Sequence, residues 1–466
     1  MTGFAMTVGG AAVPGAGLFD VVDPATGEVF AQAPDCGPDR LDQAMAAAAA
    51  AFPAWRRDEE RRRALLREAA DALQAAAGRL APILTAEQGK PLKDAHREIA
   101  SAVTWLRYYA DLDLPREVSQ DGSAEVIRRP LGVVAAITPW NFPIALAAWK
   151  IAPALRAGNT MVLKPSPYTP LTTLAMGETL RPILPPGVLN VVSGRDPLGA
   201  LMTAHPVPRK ISFTGSTATG KRVAAAAAED LKRVTLELGG NDPAIVLDDA
   251  DPGQIADSLF WSAFANNGQI CLAVKRVYAP ERLYDDLVEA LAVRARSVRV
   301  DAGTVEGAQL GPINNRAQYE RVAGLVGDAL DHGATVAAGG RPIDRPGYFY
   351  QPTILSGASD GTRIVDEEQF GPALPVIAYR DLGEAVERAN GTTYGLTASV
   401  WSPDPDRAAR VAAELDCGQV SINAHGRGVR PDLPFGGHKW SGLGVENGLW
   451  GLYGYTELQV LVGNES

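Results

Sequence analysis

Residues 210–242 read KISFTGSTATGKRVAAAAAEDLKRVTLELGGND. The stretch divides into a short strand, Lys210 to Phe213, a small-residue turn from Gly215 to Gly220, an Ala-rich helix, and a second strand, Arg233 to Glu237. Strand, crossover helix and strand make the right-handed unit of a parallel sheet. The same alternation precedes it. Gly132 to Ile137 is an unbroken apolar run, as expected of a strand buried on both faces. TPWNFP (138–143) follows, then a helical stretch from Ile144 to about Ala157. Thr160 to Leu163 is strand-like and leads into KPSP (164–167), and Val188 to Val192 is a further strand that stops at Gly194. The fold class is therefore α/β. Ligands of such sheets gather at the carboxyl ends of the strands. Asn141, Lys164, Ser216 and Glu237 all fall at such ends.

Beyond Gly240 the alternation resumes, with a strand at Ala244 to Leu247, and a second α/β unit extends to about residue 445. Near the start, VVDPATGEVF (21–30) reads as a hairpin turning on Pro24 and Gly27. Asp39 is a candidate N-cap for an Ala-rich helix ending before Pro53, and a second helix begins near Asp58. A third, about Lys93 to Leu112, repeats the amphipathic pattern. These three helices read as scaffold, with no residues arranged for chemistry. Asp121-Gly122 between possible strands is a short hairpin signal. The tail from Tyr455 to Gly463 is β-prone and expects a pairing partner.

Composition narrows the function. With 466 residues, 46% apolar and 21% charged, the chain has enough material for two or three domains. Its net charge of −10 leaves no electrostatic footprint for nucleic acid or an anionic membrane. Leu131 to Trp149 is uncharged and about long enough to span a bilayer, but Pro139, Asn141 and Pro143 argue against a membrane span. The first basic residue is Arg40, so no secretory or mitochondrial leader is expected. Cys36, Cys271 and Cys417 are an odd, widely spaced set, suited to reduced thiols in the cytoplasm. The five histidines show no ligand spacing, and no metal is expected.

The chemical candidates each admit a bland alternative. Gly215 to Gly220 is either a phosphate cradle at a helix start or a tight turn. Lys164 is either a ribose or phosphate contact or a solvated charge. Asn141, between Trp140 and Phe142, is either an oxyanion donor or a turn cap. Cys271 follows the polar turn Asn266-Asn267-Gly268-Gln269 and is either a nucleophile or a small buried apolar group. Glu237 is either a base or a salt-bridged acid, although an apolar strand ahead of Leu238-Gly239-Gly240 is an unusual place for one. Cys36 and Cys417 read as structural.

Taken together, PWNFP (139–143), KPS (164–166), FTGSTATG (213–220), LELGGND (236–242), NNGQIC (266–271), EEQFGP (367–372) and PFGGHKWSGLG (434–444) resemble, in order and spacing, the aldehyde dehydrogenase superfamily. The likeness runs from VVDPATGE to YTELQVLV. It implies oxidation of an aldehyde to the carboxylic acid with NAD(P)⁺ and water. Cys271 matches the nucleophile that forms a thiohemiacetal and then a thioester. Asn141 matches the oxyanion donor, and Glu237 the base for the hydrolytic water. Lys150, in WKIAPAL, and Glu457, in YTEL, resemble residues that relay the proton. For the cofactor, Trp140, Lys164, Ser166, Gly215, Ser216, Glu368 and Phe370 match the family's positions. Many members read KPSE, whose glutamate holds the ribose diol and excludes a 2′-phosphate. Here that place is Pro167, which removes both a repulsion against NADP⁺ and a hydrogen bond to NAD⁺; NAD⁺ is the expected cofactor, with NADP⁺ not excluded.

The implied fold is a Rossmann-type cofactor domain (1–112 and 132–239), a catalytic domain (240–450) and a small β oligomerisation arm (113–131 and 451–466). A homodimer or homotetramer is expected. The pocket is expected at Phe142, Trp149, Ile270, Leu272 and Phe435, which favours an apolar or aromatic aldehyde. Arg427 and Arg430 would instead suit a semialdehyde's carboxylate, but Trp149 stands where some semialdehyde enzymes place an arginine. A coenzyme A-acylating enzyme is the other relative to weigh, and the presence of Glu237 argues against it. A binding or structural protein on a retired enzyme fold would not need Cys271, Asn141 and Glu237 together.

Overall fold

A computed structural model describes residues 3–115, 117–120, 122–426 and 428–463. Among the described residues, eight strands form the first sheet, with Val133–Ile137 at its centre. On one side lie Thr160–Lys164 and then Leu189–Val191. On the other lie Lys210–Thr214 and then Arg233–Glu237, all parallel. The chain thus steps outward from Val133–Ile137 first one way and then the other. The crevice beyond the carboxyl ends of Val133–Ile137 and Lys210–Thr214 is the switch point where such sheets bind their ligands. The unbroken apolar runs are explained by burial of every residue in Val133–Ile137 and Thr160–Lys164.

Helix Pro143–Ala157 crosses beneath this crevice and is buried along its whole length. Its sequence is apolar all round, as that position requires. Pro143 sits in the first turn, where its missing N–H costs nothing. The two charges it carries are neutralised within the fold. Lys150 meets Glu446, and Arg156 meets Glu59.

Among the described residues the second sheet has seven strands. Asp242–Val246 lies between Val274–Pro280 and Thr397–Trp401, parallel to both. Gly239 and Gly240 carry the chain from one sheet to the other. A further strand, Gly442–Leu443, pairs antiparallel with Arg233–Glu237, so the segment after Phe435 returns to the first sheet. The tail strand Thr456–Val462 pairs with Ala124–Pro130 from Thr456↔Pro130 to Val462↔Ala124, and Glu117–Val118 completes this arm. Asp121 lies outside the described residues. Gly122, at φ +74°, has the left-handed backbone that the hairpin signal anticipated.

Some expectations are corrected. The first long helix runs Pro38–Trp55, capped at Gly37 rather than Asp39, and it continues through Pro53 because buried Trp55 anchors its last turn. Helix Ala77–Gln88, absent from the sequence reading, intervenes before Leu92–Asp111. The second helix starts as expected, with the Asp58 side chain accepting from Arg61 N–H. The 21–30 hairpin is present, as strands Gly17–Asp23 and Glu28–Asp35. No helix among the described residues is long and apolar enough to cross a membrane, and none of their His, Cys, Asp and Glu side chains form a metal-binding group.

Candidate active site

The Cys271 loop starts from an unusual backbone. Asn266, Asn267 and Gly268 have φ of +50°, +60° and +71° in succession. Asparagine tolerates the left-handed region better than most side chains, and glycine enters it freely. A Cβ at Gly268 would also lie 2.2 Å from the Gly371 carbonyl oxygen, so only glycine fits. The turn is held from all sides. Gln269 donates to Asn266 O at 2.9 Å and accepts from Asn314 N–H at 2.8 Å, and Asn267 donates to Gly311 O. Buried Lys275 donates to the carbonyls of Gly268 and Ile270, both at 2.9 Å, which bracket the approach to the thiol. The glycine pair fits beneath, since a Cβ at Gly240 would lie 2.5 Å from Cys271 O.

Cys271, Asn141 and Glu237 line one cavity of about 640 Å³. Its walls include Phe142, Trp149, Ile270, Leu272 and Phe435, the five pocket residues expected, together with Leu146, Trp261 and Val429. Trp149 stacks on Trp105 with centroids 5.2 Å apart and meets the Phe435 ring edge-on at 5.5 Å. Lys93, Asp94, Arg97 and Ser101 belong to the same cavity on the helix that sequence reading had taken as scaffold.

Charge is arranged unevenly around the thiol. Burial pushes Cys271 well above the ordinary thiol range, and Glu368, Asp242 and Glu237 push it further, while Lys275 alone opposes them. One N–H of the Asn141 amide bonds Gln269 O at 3.0 Å, and the amide oxygen has no partner. Among the described residues Gln269 O is the one acceptor of the amide nitrogen, which leaves donor capacity of the kind an oxyanion site needs. Both Glu237 oxygens are buried without a hydrogen-bond partner. Burial first, and then the charge of Glu446, raise its carboxyl well above the usual range, and Lys150 partly offsets this. A carboxyl so placed is shifted toward its protonated form, and its ionised form grows as pH rises.

Lys150 lies at the back of the site. Its ammonium reaches Glu446 Oε1 at 2.5 Å and Thr214 Oγ1 at 2.8 Å, with both charged side chains sealed from solvent. The expected partner, Glu457, is displaced from this role. It lies on the exposed arm strand Thr456–Val462, in register with Arg129. The acid that sequence reading missed is Glu446, brought in by its antiparallel bridge to Phe435. Its one legible signal was the need of a buried lysine for some acid. Arg430 is exposed, bonded to Asp432 at 2.6 Å and not among the described lining residues, and Arg427 lies outside the described residues. Replacing Glu446 by glutamine is expected to slow turnover about tenfold. Because Glu446 raises Glu237 and Lys150 lowers it, the alkaline rise in rate should also move to lower pH. Glu457→Gln should change neither. Steady-state pH profiles of the two variants make the test, and the reverse pattern would restore Glu457.

The expected cofactor residues come from several elements of both sheets. Lys164 ends its strand with its ammonium on a single acceptor, Pro165 O at 3.2 Å, and burial lowers its pKa to about 8. Ser216 is exposed and caps helix Thr217–Glu229 through Thr219 N–H. Gly215 has no room for a side chain, since a Cβ would lie 2.5 Å from the Phe213 ring. Ser166 accepts from Tyr168 N–H and closes its own turn. Glu368 accepts from Gly240 N–H with one oxygen, while the other faces Gly239, where a Cβ would lie 2.4 Å away. Phe370, at φ +50°, meets the Trp140 ring edge-on at 5.1 Å. An ammonium with one weak acceptor, a helix N-terminus, a carboxylate kept open by glycine and an aromatic wall suit a dinucleotide.

The model of the aldehyde dehydrogenase family matches residues 13–461. The chain belongs to the aldehyde dehydrogenase family. Phenylacetaldehyde dehydrogenase of Pseudomonas fluorescens is 40% identical, covering 95% of this chain and 92% of that protein. Succinate-semialdehyde dehydrogenase [NADP(+)] of Escherichia coli is 39% identical, covering 95% and 93%. Among solved structures, an NAD⁺ complex of aldehyde dehydrogenase from Bacillus cereus superposes with a TM-score of 0.97 at 36% identity, covering 100% of this chain and 97% of that one. As a member of this family, the chain is an oxidoreductase acting on aldehydes with NAD(P).

Proposed function

We propose that this aldehyde dehydrogenase converts an apolar, aryl- or alkyl-substituted aldehyde to its acid through a thioester on Cys271. The observation that carries the reading is the convergence of Cys271, Asn141 and Glu237 on one apolar-walled cavity. The Cys271 sulfur attacks the aldehyde carbon, and the Asn141 amide stabilises the oxygen that becomes charged. Lys164, Ser216 and Glu368 would hold NAD(P)⁺, with Trp140 and Phe370 as walls, and the bound cofactor would supply the hydride acceptor. Glu237 then takes the proton from the water that cleaves the thioester, and Lys150 with Glu446 supports its passage onward. Lys275 holds the loop carbonyls and offsets the surrounding carboxylates.

Substrate choice follows from the walls. Trp149, backed by Trp105, and Phe435 meet edge-on in the wall, and Arg97, the arginine among the described lining residues, is engaged by Asp94 at 2.8 Å. Burying a carboxylate among these rings without a partner is costly. Arylacetaldehydes and medium alkyl aldehydes are expected to exceed acidic semialdehydes in kcat/KM by about tenfold or more. The panel is run with NAD⁺ and NADP⁺ in parallel and without coenzyme A. Preferred turnover of acidic semialdehydes would replace this reading with the semialdehyde one.

The chain divides, in this proposal, into the cofactor, catalytic and arm units expected from sequence. Val118, Leu458, Val460 and Val462 leave apolar surface on the arm, which favours a homo-oligomer. A monomer by sedimentation would remove the oligomer.

A further inference from the structure

Two charged residues that the mechanism above does not use are buried beside the oxyanion donor. Lys90 follows helix Ala77–Gln88, and Glu98 lies on Leu92–Asp111. Their side chains form a direct ion pair with each only 1% exposed. Neither spends its remaining capacity at random. The Lys90 ammonium also donates to the Asn141 carbonyl oxygen at 2.9 Å and sits 4.0 Å from the centre of the Phe142 ring. The second Glu98 oxygen accepts from Ile144 N–H at 2.9 Å and Ala145 N–H at 3.2 Å. Those are free N–H groups at the start of helix Pro143–Ala157, whose own N-cap, Phe142, supplies no side-chain acceptor. The pair therefore grips the chain at Asn141, Phe142, Ile144 and Ala145.

Stability alone is a poor reason for such a pair. Desolvating two charges roughly cancels their attraction, and well-packed apolar side chains of the same volume do as well or better. Burial presses Lys90 toward losing its proton, and Glu98 is what opposes that. What the pair delivers that an apolar pair would not is directional contact with one backbone segment. That segment carries the donor Asn141 and the pocket wall Phe142, and it begins the helix that presents Trp149 and Lys150.

We propose that Lys90 and Glu98 are positioning residues for the oxyanion site, holding the Asn141–Ala145 segment so that the Asn141 amide meets the oxygen of the thiohemiacetal. The inference rests on the reading of Asn141 as that donor. A misplacement of about 1 Å at such a site costs on the order of a hundredfold, so Lys90→Met is expected to slow acylation by about ten- to a hundredfold. The rate is read as the pre-steady-state burst of NAD(P)H at saturating aldehyde and cofactor. The loss should appear in kcat, with the cofactor KM within about twofold of the parent. Lys90→Arg, which keeps the charge and the donors, should recover part of it.

A double-mutant cycle separates positioning from general damage. If Lys90 acts through Asn141, then Lys90→Met made in the Asn141→Ala background slows the burst by less than about threefold further. Full multiplication of the two losses would overturn the proposal, as would a normal burst in Lys90→Met while Asn141→Ala is slow. A normal burst in Asn141→Ala would instead remove the oxyanion reading itself. Should Lys90→Met not fold, Glu98→Gln, which keeps an oxygen for the helix N-terminus, is carried through the same cycle with the same outcomes.

Discussion

Cys271→Ala is expected to leave no aldehyde-dependent formation of NAD(P)H, a loss of at least about a thousandfold for removal of a nucleophile. The three thiols make this a sharp test because they are all free and differ only in surroundings. Cys36 lies in the core beside the first sheet, and burial pushes its pKa to about 12. Cys417 lines a small polar pocket near Asp242 and is likewise pushed to about 12. Cys271 alone opens onto the large cavity, on a loop whose carbonyls are tied down by Lys275. Alanine at 36 or 417 should therefore leave turnover within about twofold. Alkylation by iodoacetamide should follow Cys271 only and should rise into the alkaline range, because three carboxylates and burial disfavour its thiolate. Unchanged turnover in Cys271→Ala would sink the covalent mechanism entirely.

What was legible beforehand divides along a physical line. The strand ends read at Ile137, Leu163, Phe213 and Glu237 fall within one residue of the observed ends, because apolar runs stop at small, polar or proline residues, and parallel sheets collect their ligands there. The five pocket side chains could be named only through motif resemblance. Their convergence is a tertiary fact, since Phe142 and Trp149 sit on one helix and its cap while Phe435 returns from far along the chain. Helix Ala77–Gln88 was not anticipated; it contains Gly78 and Pro82, residue types that disfavour a helix interior, yet Pro82 is accommodated and Gly89, at φ +96°, ends it. Lys90 and Glu98 were overlooked for a deeper reason. On an amphipathic helix, a charge reads as solvated, and periodicity carries no mark of a charge that is buried with its partner. Glu446 escaped in the same way. Which of many acids reaches Lys150 is decided by the bridge between residues 435 and 446, not by any local pattern. The functional acid that the family motif seemed to offer, Glu457, failed because a two-residue period sends every residue of an outer strand to one face or the other of a thin arm, and neither face reaches the site.

Glu237→Gln should separate the two halves of the reaction. Acylation needs Cys271 and Asn141, so the first burst of NAD(P)H should keep its amplitude. Deacylation needs a base, and its loss should slow steady-state turnover by about a hundredfold or more. Hydroxylamine, which attacks a thioester without that base, should restore release. The pH dependence has a fixed sign. Because burial and Glu446 hold the Glu237 carboxyl above its usual range, the ionised base grows with rising pH, and the parent's rate should climb through that range while the variant's stays flat. Stability moves the opposite way. A carboxyl whose folded pKa is raised stabilises fully below its unfolded value of about 4.3, and that stability is lost as pH rises through the folded value. Glutamine carries no such loss, so the variant should gain in Tm relative to the parent at about pH 8 and not at about pH 4. A variant that deacylates poorly yet melts higher in alkali has lost a base and kept its fold. One that deacylates at the parental rate would exclude Glu237 from the chemistry and leave the ion pair of Lys150 and Glu446 behind it as structure alone.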